Sequence, residues 1–79
     1  MDKDYYTLQI TYNAASHKIG EVEVIEFKDI EGWNNVKDFQ KSIWVSGIRL
    51  QTTPTAWELI APFRITKAIV IKQPHKYKI

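Results

Sequence analysis

His17 and His75 lie 58 positions apart in a chain that contains no cysteine. Without cysteine there is no thiolate nucleophile, no thiolate metal ligand and no disulfide. Neither histidine has acidic or imidazole neighbours at metal-ligand spacing, so each reads as a surface or loop residue and no metal site is expected. Gly20, Gly32 and Gly47 are too widely spaced for a phosphate-cradling loop, and neither G-x-S-x-G nor H-E-x-x-H occurs. Ser46 beside Gly47 has no adjacent base to activate it and reads as a polar strand residue. Glu21, Glu23 and Glu26 supply carboxylates for acid-base work, but solvated carboxylates along a strand are ordinary. The inventory points away from an enzyme and from any cofactor, and leaves binding.

The binding chemistry lies in charge and aromatic rings. Residues 1 to 40 hold eight acids and four bases, a balance of −4; residues 41 to 79 hold seven bases and one acid, a balance of +6, which together make the net +2. Opposite halves of this kind neutralise one another across paired strands or dock head to tail on copies of the chain. Arg49, Arg64, Lys67 and Lys72 are expected to form a basic strand face, with Trp44 and Trp57 beside it and Tyr77 near by. Three Trp and four Tyr in 79 residues exceed the obvious needs of so small a core, and Trp, Tyr and Arg are the types enriched at interface hot spots. The leading expectation is a small non-enzymatic interaction protein, an adaptor, accessory subunit or inhibitor. It would bind another protein through Trp44, Arg49, Trp57, Arg64, Lys67 and Lys72. The alternative is nucleic-acid or nucleotide binding, with phosphates held by charge and bases stacked on the rings. The pI near 8.9 and the absence of RNP, KH, zinc-finger and helix-turn-helix patterns give that alternative the second place.

The elements that would position these residues follow from periodicity. Tyr5 to Tyr12 alternates, with Tyr6, Leu8, Ile10 and Tyr12 on one side, and predicts a strand. Asn13 to Lys18 carries turn chemistry. A second strand runs from Glu21 to about Lys28, and a bulge near Val24-Ile25 is required if Val22, Val24, Ile25 and Phe27 are all to face inward. Trp33, Val36, Phe39 and Ile43 recur at steps of three or four, fitting a short helix or an irregular loop over the core. Lys41 to Gln51, around Gly47, predicts the third strand. Residues 55 to 61 fit either a helical turn begun by a Thr55-to-Glu58 capping box or a strand, in which Trp57, Leu59, Ala61 and Phe63 alternate. Phe63 to Lys72 predicts the last strand, with Phe63, Ile65, Ile69 and Ile71 on one side, and residues 74 to 79 form a loose basic tail.

The fold expected is mainly β. It is a single small domain with a mostly antiparallel, four- to five-stranded curled sheet or partly open barrel and one or two short helical segments; an α+β arrangement is the alternative. Ser42 to Leu50 followed by Ile65 to Pro74 resembles in pattern the closing strands of Sm-like RNA-binding barrels, which also set a Gly between apolar strand residues. That family opens with a helix where this chain opens with a strand, and the resemblance spans about a third of the chain. Surface scaling gives a compact monomer of 9.3 kDa about 5,000 Å² of exposed area, and burial on folding then barely offsets the ordering entropy. Association into a homo-oligomer is the expected remedy. No apolar run reaches membrane-spanning length, and residues 1 to 20 lack the basic start and apolar stretch of a signal peptide, so a cytoplasmic, non-membrane protein is expected.

Overall fold

The computed structural model describes residues 3–13 and 22–78. Its elements are β1 (Tyr5–Asn13), β2 (Val22–Glu31), α1 (Trp33–Ser46), β3 (Ile48–Thr53), β4 (Ala56–Ile60), a 3-10 turn (Pro62–Arg64) and β5 (Ile65–Lys72). The mainly β expectation holds, with 56% strand among the described residues. Among the described residues the five strands divide into a three-stranded antiparallel sheet, β2-β1-β5, and a separate hairpin, β3-β4, and no barrel closes. Among the described residues no helix is long and apolar enough to cross a membrane.

β1 is the centre of the larger sheet because its alternation lets it bury one whole face. Tyr6, Leu8, Ile10 and Tyr12 are all buried there, and their cross-strand partners extend the same face. Phe27 and Val70 flank Leu8, and Ile25 and Ala68 flank Ile10. α1 lies over this face, burying Val36 and Ile43 and packing Phe39 edge-on against Phe27 at 5.1 Å between centroids. The spacing of three and four residues between these positions puts them on one helical stripe.

Two phase corrections keep the face apolar. The bulge expected at Val24-Ile25 falls instead at Lys28-Asp29, where two β2 residues oppose Thr7 and Asp29 takes φ 62°. It shifts Ile30 into register with Tyr6, while Val22 and Val24 stay on the opposite face, exposed. In β5 the register slips at Thr66, so Ile65 is buried beside Tyr12 although Ala68 and Val70, not Ile69 and Ile71, continue the core face. The expected grouping of Phe63, Ile65, Ile69 and Ile71 is therefore wrong, because a one-residue slip exchanges the two faces of a strand.

The third strand begins at Ile48, not Lys41, since Ser42 to Ser46 complete α1. The run Ile43-Trp44-Val45 has strand-like composition, but the helical stripe needs Ile43 in the core, and tertiary packing overrides propensity. This also removes the pattern likeness to the Sm-like barrels, which needed a strand there. Residues 56 to 60 form strand β4, settling the open choice between strand and helical turn.

Gly47 ends the helix and turns the chain into the hairpin. Its backbone lies at φ 78°, ψ −165°, a region open essentially to glycine alone. A Cβ there would stand 2.2 Å from the Ile60 carbonyl oxygen and 3.1 Å from Pro62 Cδ. The side chains of Ile48 and Ile60, paired across the hairpin, are buried at its root. Gly47→Ala combines a forbidden backbone conformation with a backbone clash, and we expect a loss of about 3 kcal/mol or more. Urea unfolding of the two proteins measures it; an unchanged midpoint would refute the close approach.

Candidate interaction surface

The hairpin has one anchored face and one bare one. Ile48 and Ile60 carry the inner face into the core and Leu50 packs against it. Arg49 pairs with Leu59, and Gln51 with Trp57, on the outer face. Every residue from Gln51 to Leu59 is exposed, including Trp57 at 61% and Leu59 at 57%; Phe63, just beyond β4, is exposed at 86%. The tip is held by its own polar groups, Gln51 Nε2 donating to the Pro54 carbonyl at 3.1 Å and Thr52 Oγ1 to the Ala56 carbonyl at 3.4 Å. Cross-strand neighbours share a face, so the structure brings Arg49 and Trp57 together, diagonally across one pair, and adds Leu59 between them.

The other expected site residues lie elsewhere. Trp44 sits on the side of α1, lining a shallow hollow of about 320 Å³ with Lys37, Gln40 and Lys41. Lys67 is on the bare face of the larger sheet opposite Thr11. Lys72 Nζ stands 3.7 Å from Asp4 Oδ1. Arg64 is committed to the fold: its Nε and Nη2 donate to the Asn13 carbonyl at 3.0 and 2.8 Å, Nη1 is 4.0 Å from Glu58, and the guanidinium lies over the Tyr12 ring. Tyr12 in turn donates its hydroxyl to Glu23 at 2.6 Å. Burial, and then the Glu23 carboxylate, push that phenol up to about 12. Arg49, Arg64, Lys67 and Lys72 thus do not form one basic face.

Leu59 and Phe63 were missed as surface residues, although the alternation of Trp57, Leu59, Ala61 and Phe63 carries the signal: four in-phase apolar residues cannot all be buried by a hairpin without a covering layer. Lys37 and Lys41 were missed because the strand expected from Lys41 hid the i, i+4 spacing that places them beside one another on a helix.

A second polar cluster binds the C-terminal residues. The buried Gln73 accepts hydrogen bonds at Oε1 from the Thr7 hydroxyl, 2.7 Å, and the Asp29 amide, 2.8 Å, while its Nε2 donates to Asp29 Oδ1 at 2.9 Å. The Asp29 carboxylate also accepts from the amides of Tyr77, 2.8 Å, and Lys78, 3.0 Å. Residues 74 to 78 are therefore tied down where a loose tail was expected. The reason is local: the bulge that realigns β2 also turns Asp29 toward them. All these donors serve the fold, and among the described residues no group of three or more His, Asp or Glu is placed to hold a metal ion.

Comparison with protein families, with curated proteins and with solved structures found no match to this chain. Function is therefore argued from geometry alone.

The donors from Gln73 and from the Tyr77 amide hold the Asp29 carboxyl below its usual 3.8. A depressed carboxyl contributes stability that is fully present above its unfolded pKa and is lost as the pH falls through the lower folded value. We expect Tyr77 and Lys78 amides to stay protected down to about pH 4 and to lose protection below it. Hydrogen exchange corrected for intrinsic rates checks this, and Asp29→Asn should abolish the acid dependence.

Proposed function

We propose that the protein is a small non-enzymatic interaction module that binds another protein through the outer face of the β3-β4 hairpin. One observation carries this reading: Trp57 and Leu59 project from a two-stranded sheet that no other layer covers among the described residues, with Arg49 beside them. An isolated hairpin is marginal in water, and monomers seldom expose contiguous large apolar groups without a use for them. A Trp and a Leu flanked by Arg and Gln have the make-up of an interface centre with a polar rim. The amphipathic Arg49 gives such a surface a charge that selects acidic partners and raises the association rate more than the affinity. A cytoplasmic setting is part of this reading.

The Lys37, Lys41 and Trp44 hollow supports a second reading, binding of single-stranded nucleic acid by a ring beside two cations. Its mark is affinity that falls steeply with salt. Oligonucleotide binding that is absent at low salt, or unaffected by Lys37→Ala/Lys41→Ala, removes it.

For the leading reading, proteins captured by the wild type should be lost by Trp57→Ala/Leu59→Ala and kept by Lys67→Ala. Loss of about 2 kcal/mol or more, a 30-fold weakening, is expected for a hot-spot pair. Both substitutions are at exposed positions, so circular dichroism should show an intact fold. Capture of the same proteins by all three would overturn the reading.

A further inference from the structure

We infer that the outer edge of β4 pairs with β4 of a second copy, joining two hairpins into one four-stranded antiparallel sheet about a two-fold axis. The edge used here is distinct from the hairpin face of the proposed function.

Each strand edge on the molecule can be judged by what blocks it. β2 carries Glu23, Glu26, Lys28, Asp29 and Glu31 and is bent by its bulge. β5 carries Lys67 and Lys72, and its Ala68 carbonyl is taken by Gln40 Nε2 at 2.7 Å. β3 carries Arg49. Charge, bulges and side-chain caps are the means by which edges avoid pairing. β4, Ala-Trp-Glu-Leu-Ile, has one charge, and that charge lies near Arg64. β3 is also bulged at Thr52, whereas β4 runs without a bulge, so among the described residues the β4 edge is the least obstructed of the four.

The same strand suits its own copy. Antiparallel pairing centred on Glu58, the middle of the five residues, sets Trp57 of one copy opposite the partner's Leu59, and the reverse. Both are aromatic-aliphatic pairs of the kind that stabilises sheets. Pro54 and Pro62 stand outside the two ends of β4. Lacking amide hydrogens, they limit the paired length to this segment. A two-fold contact closes on itself, so two chains satisfy it and no fibre follows. The one unfavourable juxtaposition is Glu58 against the partner's Glu58, which each copy's Arg64 moderates.

The chain lacks cysteine, so a single introduced thiol reports the geometry directly. Light scattering of the wild type should give twice 9.3 kDa. Glu58→Cys should be joined to its copy by a short bis-maleimide, whereas Asp38→Cys, on the exposed side of α1, should not. Glu58→Gln, which removes the like-charge contact, should tighten the dimer by roughly two- to fivefold. A mass of 9.3 kDa at every concentration, or a dimer that links through Asp38→Cys and not Glu58→Cys, would overturn the inference. A monomer whose captured proteins still depend on Trp57 and Leu59 would end the dimer and leave the surface reading. A dimer linked at position 58 whose captured proteins ignore those residues would do the reverse.

Discussion

The contact between Gly47 and the Ile60 carbonyl decides the shape of the molecule. α1 must stop where its apolar stripe ends, and β3 must leave at once in a direction that brings Ile48 and Ile60 under the helix. Only a residue without a Cβ permits both, since any side chain at 47 would occupy the space of the Ile60 oxygen. The consequence reaches well beyond the turn. Because the hairpin is clamped at its root, its remaining residues run outward, and the Trp57 and Leu59 face is set in solvent by the same contact that completes the core.

The larger sheet shows the opposite economy, with irregularity used to keep side chains in. β1 has an unbroken alternation, and it was legible for that reason. β2 and β5 do not, and each needs one bulge to bring its apolar residues to the β1 face. A sequence shows that two phases coexist in a strand but not where the switch falls, because that depends on which partner residue stands opposite. In β2 the switch sits at Lys28-Asp29, where a short polar side chain tolerates positive φ and can be repaid by hydrogen bonds from Gln73. No property of β2 alone indicates Gln73, 44 residues away. The helix boundary escaped for a related reason: Ile43-Trp44-Val45 looks like strand until Phe39 and Val36 are known to share its packing.

The expectation of a binding role was reached by exclusion, and where its residues lie in the fold was legible only in part. The lack of cysteine, of clustered histidine and of glycine-rich loops directed attention to charge and aromatic rings from the start. Grouping the cations by chain position then failed, because the fold draws them to separate partners: Lys72 reaches Asp4 from the acidic half, and Arg64 fastens the end of β1 through the Asn13 carbonyl. Such pairs are worth little individually when exposed, yet they are enough to disperse a supposed patch. What survived is Arg49 with Trp57, two residues on strands joined by the two-residue turn Pro54-Thr55, where register follows directly from the hairpin.

A chain of this length faces a conflict between closing its core and keeping a surface available. Folding the hairpin back over the bare face of the larger sheet would have covered Val22, Val24 and Ile71, which remain exposed, together with Trp57 and Leu59. The direction fixed at Gly47 prevents that, and the cost is an apolar hairpin in water whose strands have no third neighbour among the described residues. Sheets of two strands are marginal, and those of four with a common apolar face are not. On the two proposals above, the outer face and the β4 edge would divide the completion of the hairpin between side-chain burial and backbone hydrogen bonding, two contributions that a single short hairpin can offer to different neighbours at once.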